Sequence, residues 1–354
     1  MTIRARVGFI DGFRFLRKNL ILSWRIREFV KRIGEADGVF LVHMGVPEHK
    51  KELAPSWMLR IIRWLAPSSL IYVGEYPRGE SGIRIITVSP VDLLDAFSQR
   101  EFRGIIHNAI RIQKGIGAQK VILGGHLPHY TRQHYGQRIP DVLEMDNFRG
   151  PVFALTAAAQ LKFEELSLQQ ERDWVCIVGV GFVGRALASR LLAKGFKVFG
   201  LDTGLREEAI RITENFVLTS DPELLSAYNI RLVIITTRLG SDIRETIPFL
   251  PQGVSLINEA YPGIFVFSDV MKQLAQKGIL SEQLSLVNEG IRPSRALWGY
   301  EEDEIPPCMV RFLVDLVEPR ESSIELKEGI HDRLERVATG SRLGLKPNLT
   351  RYQD

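Results

Sequence analysis

The chain has 354 residues, of which 45% are apolar and 25% charged, a balance typical of a globular protein with room for two domains of ordinary size. No run of eighteen apolar residues occurs, so no membrane span is expected. No apolar segment with a small-residue cleavage site follows the first arginines, so no signal peptide is expected either. The two cysteines, Cys176 and Cys308, make no disulfide framework, and a cytoplasmic protein is expected.

The net charge of +4 is unevenly spread. Over residues 1–32, Arg4, Arg6, Arg14, Arg17, Lys18, Arg25, Arg27, Lys31 and Arg32 stand against only Asp11 and Glu28, with Phe, Leu, Ile and Trp interleaved. A second basic and apolar stretch runs from Trp57 to Leu65. Amphipathic helices with solvated basic faces are the plain reading. An acidic carrier protein or a peripheral membrane contact through the basic N-terminus is the sharper one. No nucleic-acid module is recognisable.

In chain order, residues 7–10, 38–44, 70–73 and 83–88 read as strands, and Ser89-Pro90-Val-Asp92 as a helix start. Phe102, Ile105, Ile106, Ala109 and Ile110 mark one face of a long helix. Residues 120–123 form a buried strand leading into Gly124-Gly125-His126. A helix over 154–166 and a polar link precede the second half.

That half opens on the most informative stretch of the chain. Trp174 to Val178 is a short apolar strand, followed by Gly179, Gly181 and Gly184 in G-x-G-x-x-G spacing. Leu187, Leu191 and Leu192 then recur at helical spacing, Gly195 suits a left-handed helix end, and a second strand ends at Asp202. The first glycine permits the tight turn, the second lets a pyrophosphate approach, and the third lets helix and strand pack closely. Phe182, Val183 and Gly184 open the helix, whose free N–H groups suit phosphate. A nicotinamide dinucleotide is expected here, with NAD favoured over NADP because the Asp202 carboxylate accepts from a ribose hydroxyl and repels a 2′-phosphate. Arg206 lies near enough in sequence to reverse that preference. Later strands over 216–217, 232–235, 255–257 and 284–287 continue the alternation.

The fold class is therefore α/β: a Rossmann doubly wound parallel sheet over 173–304 and an N-terminal α/β substrate domain over 1–166. Residues 305–354 are expected to supply a helix returning to the first domain and a loose tail. Open α/β sheets bind ligands past the carboxyl ends of their strands. Thr236, Thr237, Arg238 and Gly290 are thus candidates beside the cofactor, and Gly124, Gly125 and Tyr261 beside a substrate seated between the domains. His126, His129 and His134 form the densest histidine cluster, without a recognised metal-ligand pattern. No metal is expected, and His126 is the candidate general acid. Cys308 follows Pro306-Pro307 at a helix start, where the dipole favours a thiolate. Cys176, inside a strand, reads as a small buried hydrophobe.

Several segments carry a family resemblance in serial order: 82–94, the long helix 101–116, Val121-Ile-Leu-Gly-Gly125 and Phe148-Arg-Gly-Pro-Val-Phe-Ala154. The glycine stretch follows, then Ile257-Asn-Glu-Ala-Tyr-Pro262, Val287-Asn-Glu-Gly290 and Ile305-Pro306. In this order the chain resembles the cyanobacterial long-chain acyl-(acyl-carrier-protein) reductases, similar in layout to shikimate-dehydrogenase-type proteins. The resemblance implies an acyl thioester, on acyl-carrier protein or CoA, passed to a cysteine and reduced to an aldehyde, usually with NADPH. The family's cysteine position falls on Phe312, and Cys308 lies four residues earlier. Two other readings stand beside this one: an NAD-dependent dehydrogenase of a small polar metabolite without covalent catalysis, and a non-catalytic nucleotide-binding partner protein.

Overall fold

The computed structural model describes residues 26–43, 56–65, 70–76, 82–136, 139–145, 148–205, 210–260, 263–288, 300, 303–318, 330–340 and 343–351. The expected strand over 7–10, the basic stretch before residue 26, Arg206, Tyr261 and Gly290 lie outside them. The chain divides into two compact units, one of Met1–Asn147 with Asn288–Gly344, the other of Phe148–Val287 with Leu345–Asp354.

The first unit opens with helix α1 (Ile26–Ile33), strand β1 (Gly38–Leu41), helix α2 (Ser56–Leu65), β2 (Leu70–Tyr76) and β3 (Ile85–Pro90). Helix α3 (Gln99–Gly115), β4 (Lys120–Leu123), α4 (Leu127–Tyr135) and β5 (Leu143–Glu144) follow. The sheet order is β2-β3-β1-β4-β5, with β1 parallel to β3 and β4, and β2 antiparallel at the edge. Strand β1 is buried throughout, as parallel strands covered on both faces are. Helix α3 starts later than the expected start at 89–92, because β3 continues through Pro90 in register with Leu70. Its start is a capping box: Ser98 Oγ accepts from the Glu101 N–H, and the Glu101 carboxylate accepts from the Ser98 N–H at 2.8 Å. Phe102, Ile105, Ile106, Ala109 and Ile112 then fall on one face and enter the core.

The second unit begins one helix earlier than the sequence pattern suggests. Helix α5 (Arg149–Glu165) belongs to it, followed by β6 (Trp174–Val178), α6 (Phe182–Ala193), β7 (Lys197–Leu201), β8 (Arg211–Ile212) and β9 (Phe216–Thr219). Next come β10 (Ile230–Ile235), β11 (Ser255–Asn258), α7 (Ser268–Gln276) and β12 (Leu280–Val287). Within this unit the strand order is β12-β11-β10-β6-β7-β9-β8, parallel from β12 to β9. The chain runs outward from β6 to one side through β7 and β9, then to the other through β10, β11 and β12. The switch point therefore lies between β6 and β10, as in a doubly wound Rossmann sheet.

After α7 and β12 the chain supplies the short strand β13 (Glu304–Ile305), a tight turn over Pro307–Met309, α8 (Val310–Val317) and α9 (Ile330–Thr339). Residues 305–344 group with the first unit. The expected loose tail is instead a strand, β14 (Lys346–Arg351), paired antiparallel with β12 over Glu282–Val287. Its polar sequence and Pro347 conceal it, yet both are ordinary on a half-exposed strand at a sheet margin.

What fastens α5 and β14 to this unit is charge as well as apolar area. Lys162 on α5 is 3% exposed and places Nζ 2.7 Å from the carboxylate of Glu282, itself 3% exposed. The same carboxylate accepts from Arg351 Nε on β14 at 2.8 Å. Removing Lys162 leaves the buried Glu282 carboxylate with only the half-exposed Arg351 to compensate it, which is costly. Lys162→Met is expected to lower stability by about 3 kcal/mol, and adding Glu282→Gln to recover part of that loss, both read from urea unfolding.

Candidate functional site

The turn after β6 gives each glycine a distinct task. Gly179 has φ of +92°, and a Cβ there would lie 2.9 Å from the Thr237 backbone nitrogen. A Cβ on Gly184 would lie 2.2 Å from the Gly179 carbonyl oxygen, so the first turn of α6 rests directly on the end of β6. At Gly181 a Cβ would meet nothing within 4 Å. That glycine faces open space, at the N-cap of a helix with no side-chain cap. The first-turn N–H groups of Val183 and Gly184 have no carbonyl one turn back within the helix to donate to, and Phe182 is 69% exposed beside them.

Asp202, at the end of β7, closes the turn from the side. Its Oδ2 accepts from the Val180 N–H at 2.9 Å and its Oδ1 from the Gly204 N–H at 3.0 Å. Each oxygen keeps a further lone pair, so the carboxylate both braces the turn and can accept from a ligand hydroxyl. Thr236 Oγ1 donates to the Gly179 carbonyl at 2.5 Å, and Thr237 Oγ1 to the Leu239 carbonyl at 2.8 Å. Arg238 is exposed just beyond them. The structure thus brings Gly179, Gly181, Phe182, Val183, Gly184, Asp202, Thr236 and Thr237 to one end of one sheet.

Glu259 belongs beside this set; it lies in the stretch 258–262 that follows a strand and is a candidate on that ground, although only Tyr261 is named from it as a substrate contact. Asn258 pairs with Ile235 in register, and the Glu259 N–H donates to the Ile235 carbonyl at 3.1 Å. Glu259 therefore stands level with Thr236 at the carboxyl end of the sheet. The residue keeps some exposed surface, but its carboxyl is enclosed by protein, and burial pushes that carboxyl up to about 8.

In the first unit the sequence candidates separate into two groups at opposite ends of the sheet. Gly124, Gly125 and His126 follow β4 at the carboxyl ends of the parallel strands. A Cβ on Gly124 would lie 3.0 Å from the Phe40 ring, and one on Gly125, whose φ is +52°, would lie 2.7 Å from His43 Nε2. Protein, rather than a ligand, fills the space before both glycines. His43, buried and unnoticed in the sequence, accepts from the His126 N–H through Nε2 at 3.3 Å, with the two rings 6.0 Å apart. His129 is exposed, and His134 lies against Phe102 with ring centroids 5.0 Å apart. Among the described residues no group of three His, Cys, Asp or Glu side chains could hold a metal ion.

Cys308 lies at the other end. Tyr76, Ile85, Gly38 and Lys120 form one row across the amino ends of β3, β1 and β4. The Phe312 ring of α8 rests on Gly38, where a Cβ would come within 2.5 Å of it. Phe312, the position the family resemblance assigns to a cysteine, is thus a core residue, 2% exposed. Cys308, half-buried in the tight turn before α8, lies near Tyr76. The Tyr76 hydroxyl is buried with no hydrogen-bond partner among the described residues. Burial foremost, and the nearby Cys308 sulfur second, raise its pKa well above the usual tyrosine range. The turn over 307–309 means that the α-helix proper begins after Cys308, so the thiol stands just outside the first helical turn. Cys176 is fully buried in β6, and burial pushes its thiol up, which leaves it inert.

No protein-family model matches the chain. Among solved structures it is similar to an L-tryptophan dehydrogenase from Nostoc punctiforme, at 14% identity over 86% of this chain and 80% of that one, with a TM-score of 0.43. A D-lactate dehydrogenase with NAD+ from Lactobacillus jensenii matches at 12% identity over 69% of this chain and 78% of that one, TM-score 0.32. An imine reductase from Pseudomonas sp. matches at 22% identity over 32% of this chain, TM-score 0.26, and there the chain covers only 41% of the reductase. The likeness is weak and is one of α/β fold.

Two outcomes follow from this geometry. Gly181→Val is expected to fold normally by circular dichroism yet lose dinucleotide binding, because its side chain occupies the open space, whereas Gly184→Ala is expected to lose about 1–3 kcal/mol of stability through overpacking. Glu259, with a folded pKa raised above the usual carboxylate value, contributes stability that is full below the unfolded pKa and lost as pH rises through about 8. Glu259→Gln is therefore expected to melt above wild type at about pH 9 and level with it near pH 4, in thermal melts across that range.

Proposed function

We propose that this protein is an NAD(P)-dependent oxidoreductase whose dinucleotide lies on the turn from Gly179 to Gly184. The observation that carries this reading is the contrast between Gly184, closed by the Gly179 carbonyl, and Gly181, open to solvent at an uncapped helix start. Only the second glycine has space for a pyrophosphate, and the positive end of the helix dipole favours one there. Asp202 supports NAD, since its carboxylate would accept from a ribose hydroxyl and repel a 2′-phosphate. Fluorescence titration is expected to give tighter binding of NADH than of NADPH. The reverse order would overturn the NAD assignment, and binding of neither would overturn the site.

The finer reading is reduction of a fatty acyl thioester, carried by acyl-carrier protein or CoA, to an aldehyde. A nicotinamide would supply the hydride. Cys308 would attack the thioester carbonyl and expel the carrier thiol, and collapse after hydride transfer would release aldehyde and restore the cysteine. Support comes from the family resemblance and from the placing of Cys308 beside the buried Tyr76 hydroxyl.

A second reading, a dehydrogenase of a small polar metabolite without a covalent step, is favoured by the His43–His126 pair at the carboxyl ends of β1 and β4. The two assignments exclude each other, because their residues stand on the order of 15 Å apart along the strands. In acyl-thioester assays with NAD(P)H, Cys308→Ala is expected to abolish aldehyde formation, with an acyl adduct on Cys308 of the wild type seen by mass spectrometry. Full activity in that variant, with loss in His126→Ala, would leave the histidine reading. Cofactor binding without turnover of either substrate class would leave a nucleotide-binding protein.

A further inference from the structure

Helix α2 carries an apolar face that the fold leaves in water. Its inner side is well used: Met58, Leu59 and Ile62 are 4%, 4% and 1% exposed. Arg63 clamps the helix down by an ion pair to Glu101 at 3.2 Å, a donation to the Ala96 carbonyl at 2.8 Å, and stacking over Phe97 at 4.4 Å. The outer side shows Trp57 58% exposed, Ile61 43%, Trp64 81% and Leu65 38%. These positions recur at four, three and one residues, so they form one stripe along the helix. Two tryptophans held open to solvent on an anchored helix are costly in water.

We infer that this face seats the protein on the surface of an anionic lipid bilayer. Tryptophan suits that place because its ring is apolar while its N–H seeks the headgroup layer. Arg60 is exposed on the same side, and α2 contains no acid. A lipid phosphate would satisfy that guanidinium while its stem covers apolar surface. The chain as a whole is basic, at +4, which adds long-range attraction to an anionic surface. A second copy of the chain fits less well: a symmetric contact through this stripe would bury two Arg60 side chains with no acid of α2 to pair them. An acidic carrier protein fits less well too, since large apolar side chains outnumber the one exposed cation of the stripe. The inference stands whichever substrate the protein takes.

The test is sedimentation of the full chain with phosphatidylglycerol-containing vesicles and with phosphatidylcholine vesicles, read beside intrinsic tryptophan fluorescence. Wild type is expected to pellet with the anionic vesicles and shift its emission to the blue. Trp57→Ser/Trp64→Ser is expected to weaken that binding at least about tenfold, with dinucleotide titration and circular dichroism unchanged. Arg60→Gln is expected to weaken it severalfold and to flatten its salt dependence. No pelleting of the wild type would overturn the inference. So would equal pelleting of the double variant, which would move the contact elsewhere, for example to the basic N-terminal stretch. Lipid-free dimerisation abolished by the double variant would assign the stripe to self-association, and Trp-dependent capture by acyl-carrier protein without vesicle binding would assign it to that carrier.

Discussion

Helix α6 can begin where it does only because residue 184 has no side chain. With the Gly179 carbonyl 2.2 Å from where a Cβ would stand, even alanine would push the helix off the strand. That contact sets the angle of the helix to β6, and the rest of the site follows from it. Thr236 can then reach the Gly179 carbonyl from β10, and Asp202 can reach the Val180 N–H from β7. The turn is thus braced from both neighbouring strands at the switch point, and the space before Gly181 is left clear between the braces. The space is bordered by backbone held in position, which would lose little conformational freedom if a ligand entered it.

The same unit solves a second problem with charge. Its sheet margin at β12 carries Glu282 in a buried setting, which would be costly alone. Lys162 from α5 and Arg351 from β14 converge on that carboxylate. The two partners come from segments nearly two hundred residues apart in sequence, so the pairing joins the stretch before the glycine turn to the last strand of the unit. A chain segment that looks polar and loose is thereby recruited as structure.

In the first unit the constraint is one of separation. Its strands put the histidine pair and the cysteine at opposite ends, and each group has its own unusual feature. His43 fills the space before Gly125, while the buried Tyr76 hydroxyl has no hydrogen-bond partner among the described residues. Catalytic groups that act together must lie within hydrogen-bond reach of a shared reacting atom. The sheet therefore forces a choice between two chemistries that a linear reading leaves side by side.

Local signals were legible where the physics is local. The glycine spacing, the apolar strand before it, the left-handed Gly195 and the acid at 202 all act within one β-turn-α-β unit, so their order along the chain was enough to place them. The buried strands β1, β4 and β10 showed as apolar runs because both their faces are covered. The start of α3 was misplaced although its Ser98–Glu101 capping box lies in plain view, because Ser89-Pro90 offered a competing start and the pairing of Pro90 with Leu70 overrode it. Long-range packing decided the rest. Nothing near Phe312 in sequence says that its ring will rest on Gly38, nothing near Gly125 says that His43 will fill its empty side, and nothing near Lys346–Arg351 says that Glu282 awaits a cation. Glu259 is an ordinary acid in sequence, and only burial in the folded chain raises its carboxyl pKa. Each of these depends on atoms brought together by folding, and their energies come from burial and desolvation, which no stretch of chain possesses before it is packed.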